Sequence, residues 1–133
     1  MVGRRKAREL ALQILYEVDL SKQSLPDVLS SFADHFHSRR ALDEFTTRIV
    51  RGVTAHRDEI DRCLKECSEN WTLGRMSAVD RNILRMAVFE ILWCADIPRP
   101  VSINEAIELG KKFGNEKSAP FINGVLDKIG HSG

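Results

Sequence analysis

The sequence predicts an all-α protein, folded as a single domain of about seven helices over residues 1–133. Apolar residues recur at helical spacing in nearly every segment, whereas no stretch alternates apolar and polar residues for long enough to predict a strand. The chain has 133 residues, of which 43% are hydrophobic and 29% charged, and this is the size and balance of one globular domain with its own core.

Helices account for the first half of the chain. The first is predicted from about residue 4 to residue 20, because one arc of it collects Ala7, Leu10, Ala11, Ile14, Leu15 and Val18. Ser24 and Pro26 then predict a break and a new start, with a short helix over residues 25–36. From residue 42 to about residue 70 the pattern predicts two helices, or one bent helix that changes direction near residues 55–58.

A fifth helix is predicted from Ser77 to Trp93, and it is expected to lie at the centre of the molecule. Ser77 followed by Asp80 resembles a capping box, in which a serine side chain accepts a backbone N–H of the first turn. The helix is apolar around most of its circumference, which is typical of a helix that others surround. On this apolar arc we expect Glu90 to form a structural ion pair with an arginine rather than to act as a catalytic acid, because no nucleophile or second acid is placed with it.

Two more helices are predicted after the Pro98 and Pro100 break. Ser102 and Glu105 form the S-x-x-E pattern of a capping box, which predicts a helix from there to Phe113. The last helix is expected to begin near Pro120.

Composition and motifs exclude several classes of function. The net charge of +1 creates no global field that would attract the protein to DNA or to a membrane. Phosphate-binding loops, dinucleotide motifs, zinc-protease motifs and nucleophile elbows are missing from the sequence, so we expect no cofactor and no catalysis. Cys63 and Cys67 share a helix face but lack two further zinc ligands, so core positions are favoured and no metal is expected. With no signal peptide and three cysteines, the prediction is a cytoplasmic protein with reduced thiols and no membrane segment.

The first basic signal lies at the N-terminus. Residues 4–9 hold four cationic side chains against Glu9 alone, namely Arg4, Arg5, Lys6 and Arg8. Positive charge at a helix N-terminus opposes the helix dipole, so the arrangement does not serve helix stability. A polyanion partner would account for it, and a solvated basic end that binds nothing specific is the alternative.

A second signal lies on the outer face of the first helix. Leu12 and Tyr16 point well away from the apolar arc. They indicate either a second packing partner within the domain or a contact with another protein.

The third signal is the segment from Lys111 to Phe121, which contains three lysines against one glutamate and two phenylalanines. Basic groups hold phosphates, and an exposed ring is a platform on which an unpaired base stacks. The alternative is a plain helix connection with two core phenylalanines. From the pattern alone we favour a core position for Phe113 and leave both interpretations open for Phe121.

Several blocks of the sequence together resemble one known family, the NusB family of bacterial transcription antitermination factors. The blocks are Arg4-Arg5-Lys6-Ala7-Arg8-Glu9, Ala11-Leu12-Gln13, Leu15-Tyr16, Val79-Asp80-Arg81, Leu84-Arg85, Ile103-Asn104-Glu105-Ala106-Ile107-Glu108-Leu109, Phe113-Gly114 and Phe121-Ile122-Asn123-Gly124-Val125-Leu126-Asp127-Lys128. The similarity runs from end to end and is least specific between residues 21 and 70.

The resemblance implies an all-helical fold of two small bundles and a protein that is not an enzyme. It implies binding of the single-stranded boxA element of nascent RNA together with the ribosomal protein NusE. It also implies a place with other Nus factors on RNA polymerase, notably at ribosomal RNA operons. A homodimer that hides the basic N-terminal face is a further hypothesis.

By position, the resemblance implies two surfaces on this chain. The RNA surface comprises Arg4, Arg5, Lys6, Arg8, Lys111, Phe113, Lys117 and Phe121. The surface for the protein partner comprises Leu12, Tyr16, Asp80 and Arg81. The position of Lys117 can be acidic in relatives, which suggests stronger RNA binding by this chain alone.

Two other functions are weighed against antitermination. One is a helical protein–protein adaptor without specific RNA binding. The other is a stand-alone relative of the N-terminal domain of RNA cytosine methyltransferases, since 133 residues leave no room for a catalytic domain as well. A steep salt dependence of RNA binding would separate an RNA-binding protein from an adaptor.

Overall fold

The computed structural model describes residues 3–36, 43–68 and 72–129, and this part of the chain is helical without any strand. One 3₁₀ turn, Leu73–Arg75, accompanies the α-helices. The seven helices found there are α1 Arg4–Ser21, α2 Leu25–Phe36, α3 Glu44–Ala55, α4 Arg57–Cys67, α5 Ala78–Trp93, α6 Arg99–Phe113 and α7 Ser118–Leu126. The all-α prediction is therefore confirmed. No helix within the described ranges is both long enough and apolar enough to cross a membrane.

Local sequence signals explain where several helices begin. The Asp43 carboxylate accepts the Thr46 backbone N–H at 2.7 Å at the start of α3, and Ser77 Oγ accepts the Asp80 N–H at 3.1 Å at the start of α5. Each side chain satisfies a backbone donor that has no partner inside the helix. Between residues 44 and 67 the chain forms two helices rather than one bent helix, with His56 as the junction.

The last two helices begin earlier than the sequence pattern predicted. Helix α6 begins at Arg99, with Pro98 as its N-cap and Pro100 in its first turn, where a missing N–H costs nothing. The predicted cap at Ser102 is wrong because that side chain is buried inside the helix, and its hydroxyl donates to Glu90 Oε1 at 2.9 Å. Helix α7 begins at Ser118, two residues before Pro120.

Helix α5 lies at the centre, as predicted. It packs against α1, α3, α4, α6 and α7, and residues 82–90 are all buried. The other contacts fall into two groups that share α5, with α1, α2 and α3 in one group and α4, α6 and α7 largely in the other. Helices α3 and α5 approach closely at Gly52, where the ring of Phe89 occupies the space that a Cβ would need.

A buried polar network fastens α1 and α4 to the polar strip of α5. Asp19 Oδ2 accepts from Arg81 Nη2 at 2.6 Å and from Asn82 Nδ2 at 3.1 Å, while Arg85 Nε donates to Asp61 Oδ1 at 2.8 Å. Burial by itself would raise the pKa of Asp19, but the hydrogen bonds from Arg81 and Asn82 outweigh that effect and lower it. The network fixes the position of α1, whose other end carries the basic residues.

Candidate nucleic-acid interface

The N-terminal half of α1 and the C-terminal half of α6 lie side by side and bring the two basic segments together. Lys112 Nζ is 3.0 Å from each oxygen of Glu9, and Arg5 Nε donates to Glu105 Oε2 at 3.1 Å. Hydrogen bonding to Glu105 raises the pKa of Arg5. Between the two helices lies a cleft of about 280 Å³. We call it the α1–α6 cleft, and its charged lining is Arg5, Arg8, Glu9, Glu105, Glu108, Lys111 and Lys112.

Arg4 and Lys6 flank this cleft on different sides of α1. The guanidinium carbon of Arg4 lies 4.6 Å from the ring centroid of Phe45, and its Nη2 is 3.9 Å from Asp96 Oδ2. Arg4 is thus directed towards α3 and the loop before α6. Lys6 is largely exposed, with Nζ 3.8 Å from Glu9 Oε1. Of these two predicted RNA contacts, Lys6 is the one that lies beside the α6 lysines.

Arg8 does not belong to the exposed basic surface, and this expectation is corrected. Its residue is only 3% exposed, and Nε and Nη2 donate to the two oxygens of Glu90 at 2.9 and 2.8 Å. The expected pair between Glu90 and an arginine is therefore confirmed. The pair therefore removes one of the four positive charges of the N-terminal segment from the surface, because a guanidinium held inside the protein is not presented to a phosphate.

Of the two phenylalanines, the one that the pattern favoured as a core residue is the more exposed. Phe113 is 43% exposed at the end of α6, and Lys112 Nζ lies 5.4 Å from its ring centroid. The core position favoured for Phe113 is therefore wrong. Phe121 is half-buried on α7 and packs against the core. Lys117 is exposed just before α7, where its backbone N–H donates to Asn115 Oδ1 at 2.8 Å.

A larger apolar groove of about 710 Å³ adjoins the α1–α6 cleft and shares Glu9 and Lys112 with it. We call it the Tyr16 groove, and its other principal lining residues are Leu10, Leu12, Gln13, Tyr16, Val79 and Phe113. Leu12 is only 5% exposed and packs in the core, so the expectation of an exposed Leu12 is corrected. Its neighbour on the same face, Tyr16, is half-buried. Of the two alternatives, packing within the domain is therefore the correct one for Leu12.

Asp80 and Arg81 differ in their surroundings. Asp80 is only 8% exposed, and within the described part of the chain its Oδ1 has no hydrogen-bond partner. Arg81 instead donates to Asp19 and to the backbone oxygens of Leu73 and Met76, at 2.9 and 3.1 Å for the two carbonyls. Arg81 therefore fastens the 3₁₀ turn to α5. Asp80 follows the groove-lining Val79 in the chain, and one of its carboxylate oxygens accepts no hydrogen bond from the ranges that the structure describes.

The sequence-based prediction of the site missed the acidic residues and Lys112. Lys112 is part of the basic segment but not of the predicted site, and none of the carboxylates Glu9, Glu105 and Glu108 is predicted to lie there. Glu9 and Lys112 lie 103 positions apart in the chain, so no local spacing reveals their pairing. Cys63 and Cys67, the pair weighed as zinc ligands, are half-buried and pack against the core.

Together, the fold and these surfaces define a class: a small helical protein with features typical of binding single-stranded nucleic acid, namely a basic cleft with an exposed aromatic ring at its edge. A family model gives the class a name. The chain belongs to the NusB family, whose model matches residues 5–131.

Similar proteins cover nearly the whole chain. The transcription antitermination protein NusB of Desulforapulum autotrophicum is 51% identical over 131 residues, with 97% of this chain and 92% of the relative covered. That of Myxococcus xanthus is 47% identical over 133 residues, covering 97% of this chain and 95% of the relative.

Two solved structures share the fold. A structure of T. maritima NusB has a TM-score of 0.85 and 36% identity, covering 96% of this chain and 90% of that one. A crystal structure of the antitermination factors NusB and NusE in complex with double-stranded RNA contains a chain with a TM-score of 0.81 and 26% identity. That match covers 93% of this chain and 92% of the other.

Proposed function

We propose that the protein is a transcription antitermination factor that binds single-stranded boxA RNA together with the ribosomal protein NusE. It joins other Nus factors on RNA polymerase, notably at ribosomal RNA operons, and works in the cytoplasm without catalysing a reaction. Its membership of the NusB family supports this function. The observation that carries it is the α1–α6 cleft, where cationic side chains from both ends of the chain meet beside the exposed ring of Phe113.

The RNA side of the proposal rests on Arg5, Lys6, Lys111 and Lys112 as phosphate contacts. Arg5 donates Nε and Nη2 to Glu105, which leaves the Nη1 edge of its guanidinium for a phosphate oxygen. Phe113 offers an exposed ring at the same end of α6, on which an unpaired base can stack. Arg4, Lys117 and Phe121 extend the proposed surface beyond the cleft.

The protein side of the proposal rests on the Tyr16 groove. Its lining is largely apolar, and Tyr16 contributes a ring with a polar tip, a side chain common at protein interfaces. The buried Oδ1 of Asp80 accepts no hydrogen bond in the described part of the chain, and it would gain one from a donor on the partner if the side chain turned towards the groove on binding. The groove therefore suits a ribosomal protein that presents an apolar segment with a nearby donor.

The test is a titration with fluorescent boxA-type RNA, with and without NusE, over a range of salt concentrations. Four phosphate contacts predict a slope of log K against log salt of roughly −3 for a single strand. Scrambled RNA of the same length is the control. A flat salt dependence, or equal affinity for scrambled RNA, would favour the helical adaptor instead.

A variant separates the two surfaces. Tyr16→Asp places a charge in the groove and should abolish NusE binding. RNA binding by the isolated chain should fall much less, because Tyr16 does not line the α1–α6 cleft and the groove shares only Lys6, Lys112 and Phe113 with the proposed RNA surface. Gel filtration with purified NusE and the RNA titration give the two readouts. Loss of both activities together would count against separate surfaces.

A further inference from the structure

The charges of the α1–α6 cleft nearly cancel. Arg8 lines the cleft, but its charge is already paired with Glu90. The four exposed cationic side chains are Arg5, Lys111 and Lys112 in the lining and Lys6 beside it. Each lies within 4 Å of a carboxylate, and the three carboxylates are Glu9, Glu105 and Glu108. The surface that the sequence marks as strongly basic thus presents a local charge of only about +1 to an approaching RNA strand.

Glu9 differs from the other two carboxylates because it pairs with two lysines. Both of its oxygens face the ammonium of Lys112 at 3.0 Å, and its Oε1 is also 3.8 Å from Lys6 Nζ. Arg5 can stay bonded to Glu105 and still offer a second edge of its guanidinium to a phosphate. Lys112 carries all its donors on one nitrogen, so a phosphate that binds there must lie close to the Glu9 carboxylate and share the same positive charge.

We infer that Glu9 limits the affinity for RNA at this surface, because it competes with RNA phosphates for Lys112 and Lys6. This inference rests on the proposed function. The Glu9 side chain is only 16% exposed, so solvent and salt screen its negative charge less than that of a free surface carboxylate. A phosphate that reaches Lys112 comes within about 6 Å of that carboxylate, and the repulsion corresponds to a loss of affinity of about three- to tenfold.

Replacement of Glu9 by glutamine tests the inference directly. Glu9→Gln keeps the shape of the side chain, removes the charge and should tighten binding of boxA-type RNA to the isolated chain about three- to tenfold. The salt slope should become more negative by up to about 0.7 for each lysine that is freed. The matched control is Glu17→Gln, which removes the same charge from an exposed position on α1. Glu17 lies about 12 Å further along the helix axis and lines neither the cleft nor the groove.

A second variant separates competition from simple structural support. Lys112→Gln breaks the same tie between α1 and α6 as Glu9→Gln, but it removes a positive charge and should weaken RNA binding. The inference predicts opposite effects of these two variants, and a much smaller gain from Glu9→Gln when Lys112 is already glutamine. If both single variants weaken binding, the pair merely holds the helices together and the inference is overturned.

Wild-type protein in the same titration tells the two proposals apart. If wild type binds boxA-type RNA and Glu9→Gln binds no more tightly than Glu17→Gln, the inference about Glu9 fails and the proposed function stands. If neither wild type nor any variant binds the RNA, with or without NusE, the proposed function fails and takes the inference with it.

Discussion

Arg8 and Arg5 belong to the same basic segment, yet replacing Arg8 by alanine should destabilise the fold far more. The Arg8 and Glu90 side chains are only 4% and 3% exposed. Removing the guanidinium would leave the buried Glu90 carboxylate with the neutral Ser102 hydroxyl as its donor. The free energy of unfolding should therefore fall by about 3–5 kcal/mol. For 133 residues the entropy of unfolding is about 0.28 kcal/mol/K, so the midpoint temperature should fall by roughly 10–18 °C.

The assay is thermal unfolding at pH 7 followed by circular dichroism. Arg5→Ala is the matched control, because the Arg5 side chain is 66% exposed and solvent screens its pair with Glu105, so the midpoint temperature should hardly change. A double variant, Arg8→Met with Glu90→Leu, removes both buried charges. It should recover much of the loss, since apolar side chains can replace a buried ion pair at little cost.

If Arg8→Ala lowered the midpoint temperature no more than Arg5→Ala does, the buried pair would contribute no more stability than the exposed one. If the double variant were as unstable as Arg8→Ala alone, the unpaired charge of Glu90 would not be the cause of the loss. In the RNA titration the order should reverse. Arg5→Ala should make the salt slope shallower by about 0.7, whereas Arg8→Ala, measured at a temperature where it is folded, should leave the slope unchanged.

Three further predictions concern other parts of the structure. Phe113→Ala should weaken binding of boxA-type RNA by about 1–3 kcal/mol without changing the salt slope, as measured in the same titration, and an unchanged affinity would remove Phe113 from the site. Gly52→Ala should destabilise the protein by about 1–3 kcal/mol in urea unfolding because the new methyl group must displace the Phe89 ring, and an unchanged midpoint would contradict that close approach. Asp19 has a lowered pKa, so its contribution is full above the ordinary value of 3.8 and is lost as the pH falls through the folded value. The stability difference between wild type and Asp19→Asn should therefore shrink below about pH 4 in urea unfolding, and a constant difference would show that the charge of Asp19 does not matter.

The sequence was sufficient to predict the helices because each buries one stripe of its surface, and such a stripe leaves a period that can be read directly. The central place of α5 followed from the same pattern, since apolar residues surround most of that helix. The start of α6 could not be predicted from the sequence pattern. Ser102 has the local pattern of a cap, but Glu90 of the neighbouring helix uses its hydroxyl instead. A local pattern contains no information about such a partner.

The surfaces were harder to predict than the helices for the same reason. A helical projection places Leu12 on the outer face of α1, but it cannot show that packing within the domain covers that side chain. Charge counting gave the N-terminal segment a strong positive character, whereas the fold buries Arg8 and sets carboxylates of α6 and α1 against its neighbours. The sequence therefore indicated where basic residues lie, and the structure shows how much of their charge is presented.

The bond between Arg8 and Glu90 also bears on the order in which the chain can fold as it is made. The two residues are separated by 82 positions, and Ser102, the third member of the cluster, is translated later still. At about 5–20 residues per second, a ribosome needs at least about 4–16 s to reach Glu90 after it has added Arg8. Throughout that interval the guanidinium of Arg8 has no carboxylate to pair with in the core, so this cluster closes only after α5 and the first turn of α6 have been made.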